Sequence, residues 1–331
     1  MHSMTRRALV RAGLAATALS GLPPAPSPAA AADTVRPFLP YGRHSYFRSR
    51  ILGAAVDAQR TEAFRSFMRS HPEQVYRYPR INGVEGNAWG TAYAMGAPGM
   101  PVWRLEGEHN PKADVLFTRG FHAPSWLGEM LTGTNDSPLC VVDRASGFTL
   151  FCANAERVGR RRIRATAAAV TYHSSNGLDH RNPRSDDERN FTSRGRISDA
   201  MVIRKDLVRH GVRHDTDLGH VLHLFLVETD SSAGYCHPMV GEESDKSGFG
   251  AEGERLAIAP TVDLTRRGLS PQGLVIARTL QRYGCYIGDN AGSSSALKAQ
   301  QENAARPLWR GTLRRDSLEG ITWDDFVVLT R

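Results

Sequence analysis

Lysine and cysteine are both scarce in this chain, with four of each among 331 residues. The cysteines, Cys140, Cys152, Cys236 and Cys285, never fall in Cys-x-x-Cys spacing, which excludes a zinc ribbon. There is no Gly-x-x-x-x-Gly-Lys-Ser/Thr run, so a P-loop phosphate cradle is excluded, and no His-Glu-x-x-His pair for a helical zinc site. Gly-x-Ser-x-Gly is missing too, and with it the nucleophile elbow of the α/β-hydrolases. No apolar run reaches the roughly 20 residues that a membrane-spanning helix needs. No repeat recurs and no strand–helix–strand rhythm is visible, which argues against a solenoid or a doubly wound sheet.

What is present begins with the leader. Arg6-Arg7 precedes a short Ala/Leu run, a Pro/Ala stretch and Ala30-Ala31-Ala32 before Asp33. A positive start, a short apolar centre and a small-residue cleavage site make an export signal, residues 1–32, of twin-arginine type. The competing reading is an N-terminal membrane anchor. Export predicts a secreted protein with no membrane association once the leader is gone. Roughly 300 residues remain, enough for one large domain or two small ones. At 40% apolar, the chain has the composition of a globular protein. The formal charge is +8, of which Arg6, Arg7 and Arg11 belong to the leader. The remaining basic excess suits a polyanionic partner such as an acidic polysaccharide, or is a solvated arginine-rich surface.

An even cysteine count in an exported chain predicts two disulfides, for which three pairings exist. Cys140–Cys152 is favoured, because the residues between them read as a turn joining two strands; Cys236–Cys285 would follow. Export in the folded state would equally permit free thiols.

Residues 58–71 predict a helix, with Ala63, Phe64, Phe67 and Met68 on one face and Pro72 at its end. Leu139–Asp143 and Phe148–Ala153 predict a hairpin about Arg144-Ala145-Ser146-Gly147. His220 to Thr229 predicts a central strand, apolar on both faces. A second helix starts at Ser270 with Pro271 at its first position and stops before Gly284. Many short strands with two or so peripheral helices give a mostly β fold, a jelly-roll-like β-sandwich. The expected division is an N-terminal segment, 33–110, with one helix packed on a sandwich domain, 111–331.

The C-terminal half carries a recurring pattern: His220-Val221-Leu222, Tyr235-Cys236-His237-Pro238, Gly253-Glu254-Arg255-Leu256, Arg282-Tyr283-Gly284-Cys285-Tyr286-Ile287-Gly288-Asp289-Asn290 and Asp325-Phe326-Val327-Val328. From Asp136 to Leu329 it resembles a group of exported bacterial proteins of actinobacterial type. The resemblance implies a jelly-roll-like fold and, by analogy with other secreted jelly rolls, polysaccharide as substrate.

Histidines crowd the stretch from 173 to 237: His173, His180, His210, His214, His220, His223 and His237. Beside Asp179, Asp215, Asp217 and Glu228 they are candidates for general acid–base work or metal ligation, though no pair has crisp ligand spacing. The plainer reading is surface and loop histidines with one or two satisfied in the core. On a strand, His220 and Glu228 share a face and His223 takes the other. His220, Tyr283, Asp289 and Glu228 are the catalytic candidates. His220 serves as base, and Tyr283 or Asp289 as proton donor or positioning group. Asp136, His173, Arg255 and Asn290 are the substrate-binding candidates. Structural alternatives exist: Tyr283 can close a helix face and Asp289-Asn290 can form a turn. The arginines between 157 and 164 can grip an anionic glycan or line a solvated strand edge.

The expectation is therefore a secreted carbohydrate-active enzyme, a glycoside hydrolase or polysaccharide lyase, cleaving an extracellular polysaccharide, neutral or acidic, by hydrolysis or β-elimination. The alternative is a non-catalytic glycan- or cell-wall-binding protein. No cofactor or metal is required by the sequence, and nucleic acid is disfavoured as a partner because no aromatic stacking module is present.

Overall fold

The computed structural model describes residues 36–107, 113–131, 133, 136–177 and 201–330. The expected export leader, residues 1–32, and Asp179 and His180 lie outside the described residues. Fourteen strands and four α-helices are numbered here in chain order among the described residues. No helix among them is long and apolar enough to cross a membrane.

Strands outweigh helices and form three sheets. The largest has six strands in the order β1 (Arg80–Asn82), β13 (Ala296–Lys298), β10 (Leu222–Leu226), β12 (Cys285–Asn290), β11 (Arg255–Ile258) and β14 (Phe326–Val328). The second is β2 (Ala92–Gly96), β5 (Leu139–Asp143), β6 (Phe148–Ala153) and β9 (Ala167–Tyr172). The third is β4 (Phe121–His122), β3 (Val102–Glu106), β8 (Arg162–Arg164) and β7 (Glu156–Gly159).

The mostly β expectation holds, but this strand order does not show the jelly roll. A jelly roll is built from antiparallel Greek keys, whereas β10 pairs parallel with β12, β1 with β13, β2 with β5, and β3 with β8. Parallel neighbours require crossovers; between β10 and β12 the chain passes through β11 and a helix. Residues before 111 also do more than pack on a sandwich. They give β1 to the first sheet, β2 to the second and β3 to the third.

The two expected helices form. The first, α1 (Ala58–Ser70), is capped by Asp57, whose carboxylate accepts the Arg60 N–H at 2.9 Å, and it buries Thr61, Phe64 and Met68. A short α2 (Asp114–Thr118) follows β3. The last, α4 (Pro271–Arg282), is capped by the Ser270 hydroxyl, which accepts from Gly273 N–H. Gly284, at φ 68°, turns the chain straight into β12; a side chain there would meet Leu256 O at 2.3 Å. Between them α3 (Lys205–His214) was not legible, because only Leu207, Val208 and Gly211 are buried in a run of charge and histidine. Gly211 lets it settle on α4: a Cβ there would sit 2.6 Å from Val275.

Strand β10 is interior, between β13 and β12. Leu222, Leu224 and Leu226 enter the main core with Val275, Ile276 and Leu280 of α4 and Phe64 of α1. The alternate residues His223 and Phe225 turn to the opposite face, with ring centroids 4.2 Å apart. The hairpin β5–β6 divides two cores. Cys140, Val142 and Phe151 join the main one, while Leu139, Val141, Leu150 and Cys152 join a second with Trp103 and Phe121.

That division removes the favoured disulfide. Cys140 stands opposite Phe151, and Cys152 opposite Leu139, so the two thiols project to opposite faces of one sheet. None of the four cysteines is in a disulfide, so the expected Cys236–Cys285 pair is likewise absent. Burial pushes the Cys152 and Cys285 thiols up to about 12.

Candidate functional site

The parallel pairing of β10 and β12 sorts the expected residues by the end of the sheet on which they fall. His220 and Tyr283 precede the two strands; Glu228, Asp289 and Asn290 lie where they end. Five residues of strand separate the ends by roughly 15 Å, so these residues do not form one centre.

At the entry end each candidate serves packing. His220 is fully buried, its ring stacked on Phe47 at 4.7 Å and 7°, with Nδ1 donating to Val221 O at 2.8 Å. The Tyr283 hydroxyl accepts from Arg50 Nε at 3.1 Å. Arg255 donates to Tyr283 O, Ser49 O and Ser49 Oγ and lies over the Tyr286 ring. Its guanidinium therefore ties the lead-in chain to the sheet, and burial lowers its pKa.

Two further candidates sit away from this sheet. Asp136 is exposed in the loop before β5 at φ 60°. His173 follows β9, with Nε2 3.2 Å from Thr149 Oγ1 and its ring 5.1 Å from Phe38. Burial, the largest cause, pushes the His173 imidazole down to about 4.

At the exit end the chemistry gathers. The carboxylates of Glu243, Glu252 and Asp289 offer oxygens that all lie within 4.8 Å of one another. Asp289 is the one member that sequence reasoning named. Asp289 Oδ1 accepts the Asn290 N–H at 2.9 Å. Asn290 in turn clasps Thr229, accepting its N–H at 2.7 Å and donating to its hydroxyl at 2.9 Å. Glu228 meets His71 Nε2 at 3.2 Å, which joins the same loop to the end of α1.

Glu252 is fully buried, and its Oε1 accepts the Glu243 N–H at 3.1 Å. The segment that carries it is sewn to β12 by Gly253 N–H to Ile287 O at 2.6 Å and Ile287 N–H to Glu254 O at 2.9 Å. Cys236 N–H donates to Glu252 O at 2.8 Å. Gly253, at φ 93°, admits that approach, since a Cβ would fall 1.9 Å from Cys236 O. Behind the carboxylates the His223 ring rests on Gly288, where a Cβ would lie 2.1 Å from Nε2. Tyr235, 52% exposed, bridges to Glu252 in the backbone and offers a ring face to solvent beside it.

Glu243 and Glu252 were missed, and one signal for them was present. Gly248-Phe249-Gly250-Ala251-Glu252-Gly253 spells Gly-x-Gly-x-x-Gly, a pattern the sequence reading overlooked. Here it leads into β11 instead of linking a strand to a helix, so it is not a dinucleotide cradle. Its glycines serve close approach: a Cβ on Gly248 would meet Glu228 O at 2.3 Å, and one on Gly250 would meet Glu254 Oε2 at 2.3 Å.

A second grouping looks more reactive than it is. Asp143 Oδ2 and Ser146 Oγ lie 3.2 and 3.4 Å from His122, both on Nδ1. A catalytic triad needs the carboxylate and the hydroxyl on opposite ring nitrogens. Asp143 instead holds the hairpin turn, its Oδ1 accepting Ala145 N–H and Ser146 N–H. The arginine run falls on β7, β8 and the turn between them, and on the interior strand β8 Arg162 pairs with Glu106 of β3 and Arg164 with Glu156 of β7. Of the tryptophans, Trp103, Trp309 and Trp323 are buried, Trp126 is half-buried and Trp89 is exposed.

The three-carboxylate cluster is an all-oxygen donor set, of the kind that holds a hard divalent cation. Carboxyl groups this close are equally the arrangement of acid–base hydrolysis. No family model, curated protein or solved structure matches the chain.

Proposed function

We propose that the chain is an exported glycan-cleaving hydrolase whose reacting groups are Glu243 and Asp289, with Glu252 behind them. The supporting observation is the spacing of the carboxylates, within 4.8 Å oxygen to oxygen. Retaining glycosidases hold their two carboxyl groups about 5–5.5 Å apart. Asp289 is held on β12 by the Asn290 N–H and acts as nucleophile at the anomeric carbon. Glu243, half-buried in the loop before β11, protonates the departing glycosidic oxygen and then deprotonates the incoming water. Glu252 fixes the Glu243 backbone. Tyr235 supplies an aromatic face for a sugar ring.

Hydrolysis is preferred over β-elimination because the base and phenol that elimination would use, His220 and Tyr283, are at the other end of the strands and engaged in packing. Export of the substrate-cleaving chain rests on the twin-arginine leader, and an extracellular polysaccharide is the partner that follows. A second reading has its own support: three carboxylates can hold a calcium-like ion, which makes the chain a cation-dependent glycan binder.

Reducing-end release on neutral and acidic polysaccharides, with and without a chelator, separates the two. The hydrolase reading expects release that Asp289→Asn and Glu243→Gln each cut by at least about a hundredfold. Binding without release, abolished by chelator, would replace it with the binder. Release unchanged in both folded variants would remove this cluster from the chemistry.

A further inference from the structure

The edge strand β1 borders an aromatic and basic patch that the carboxylate cluster does not use. Just before the strand, Val75 is 75% exposed and Tyr76 37% exposed. The Tyr76 ring packs on Tyr78 at 5.7 Å and 59°, and the Arg80 guanidinium lies over it, 4.0 Å from the centroid. The backbone beneath is fixed, since Tyr76 O accepts from Gln74 Nε2 at 2.6 Å and from the Trp323 indole at 2.9 Å. An exposed ring on a held backbone loses little freedom when a ligand settles on it. The Arg80 side chain makes no ion pair and no hydrogen bond among the described residues, and its Nε is buried without an acceptor. The nearby carboxylate, Asp316, is forked by Arg314 at 2.9 and 2.8 Å. A guanidinium carries its donors in its own plane, so one lying over a ring can still grip a carboxylate with its Nη groups.

This patch is joined to the carboxylate cluster in two ways. Register carries one row across the sheet: Arg80 pairs with Ala296, Ala296 with Phe225, and Phe225 with Asp289. Three strand spacings put the ends of that row about 15 Å apart. The loop that leaves β12 after Asn290 is also clasped by the segment that carries Tyr76. Ser294 Oγ accepts the Val75 N–H at 2.9 Å and donates to Glu73 O at 3.0 Å, and Gln74 Oε1 accepts the Ser295 N–H at 2.9 Å. We infer that Tyr76 and Arg80 form a distal subsite for a uronate residue of an acidic polysaccharide, its ring on Tyr76 and its carboxylate on Arg80. The inference rests on the hydrolase reading for the fate of the bound chain, and it names the substrate class of that site.

Calorimetric titration at low salt tests it, with the leaderless Asp289→Asn chain so that the probe is not consumed. The probes are hexamers of galacturonate and of hyaluronan, with cellohexaose as the neutral control. One or both acidic hexamers should bind, cellohexaose at least about tenfold more weakly, and the acidic binding should weaken as salt screens the guanidinium. Arg80→Gln in that background should cut acidic binding at least about tenfold. Arg80→Lys should recover only part of it, because an ammonium cannot make the fork. Tyr76→Ala, at an exposed side chain, should also weaken it and keeps the test decisive if Arg80→Gln disturbs β1. Failure of both acidic hexamers to bind, or undiminished binding in folded Arg80→Gln and Tyr76→Ala proteins, overturns the inference. Cellohexaose binding as tightly as the acidic hexamers overturns it too. Acidic hexamers held through Arg80 but left whole by the parent chain would remove the hydrolase reading and keep the subsite. Cleavage of cellohexaose alone, unchanged by Arg80→Gln, would keep the hydrolase and remove the subsite.

Discussion

Arg60 and Glu254 meet in a two-point ion pair, Nε to Oε1 at 2.7 Å and Nη2 to Oε2 at 2.6 Å, between α1 and the start of β11. The carboxylate is fully buried and the guanidinium side chain 36% exposed. Glu254 is two residues beyond Glu252, and its carbonyl accepts the Ile287 N–H, so the pair pins the segment on which the carboxylate cluster depends. Arg60→Ala leaves a buried carboxylate without its cation. Breaking such pairs costs about 3–5 kcal/mol when both are buried, and the partial exposure of Arg60 reduces that to about 2–4 kcal/mol. Urea denaturation should show the midpoint falling with an unchanged slope. Arg60→Lys should recover only part of the loss, because an ammonium cannot make the fork.

The four cysteines give a direct chemical count. Cys140, Cys152 and Cys285 are buried and Cys236 half-buried. Thiolate is the reacting form, and burial pushes Cys152 and Cys285 up to about 12. At pH 8 a thiol reagent should label Cys236 first, and all four only after unfolding without reductant. Two or fewer thiols in denaturant would mean that disulfides form despite the opposed faces of Cys140 and Cys152. Reductant should leave the melting temperature unmoved.

Gly288 supports His223 from below, and Met239 lies 2.9 Å from where its Cβ would be. Gly288→Ala should displace the ring and cost about 1–3 kcal/mol as an overpacking change. Since Asp289 is the next residue, the same substitution should lower glycan cleavage more than its stability loss explains. A folded Gly288→Ala protein with full activity would place the reacting groups elsewhere.

His220 offers the opposite test. Removing an imidazole stacked on Phe47 should destabilise by about 2–4 kcal/mol through the cavity it leaves. His220→Ala that remains folded should keep its turnover, measured by reducing-end release below its unfolding temperature. A hundredfold loss in a folded variant would return His220 to the role that its sequence neighbourhood suggested.

Local signals carried well from sequence to structure, and long-range ones did not. The hairpin was legible because two short apolar runs joined by a four-residue turn specify β5 and β6 without reference to anything distant. Helix α4 was legible because Ser270, Pro271 and Gly284 mark its ends in the backbone itself. Parallel pairing of β10 with β12 has no such mark, since the crossover between them contains β11, loops and α4. Without that pairing the sheet ends are undefined, and His220, Tyr283 and Asp289 looked like neighbours. Glu252 was hidden for another reason. A buried glutamate in a glycine-rich segment has no periodicity, and its burial and its hydrogen bonds to Glu243, Cys236 and Gly234 are what distinguish it from a surface loop residue.

His173 sets an acid-side limit on stability. Its imidazole is pushed from 6.5 down to about 4, first by burial and against the smaller opposing pull of Asp143. The unfolded chain takes up a proton near the ordinary value, while the folded chain resists until about pH 4. Between those values the unfolded state binds more protons, so stability falls as pH drops from about 6.5 to about 4 and this contribution levels off below that. Above pH 6.5 the group is neutral in both states and adds no slope. His173→Gln keeps a polar group within reach of Thr149 and does not titrate. Its urea midpoint should therefore fall less than that of the parent between pH 7 and pH 4.5. Parallel loss in both proteins would show that other groups, and not the buried imidazole, govern acid unfolding in this window.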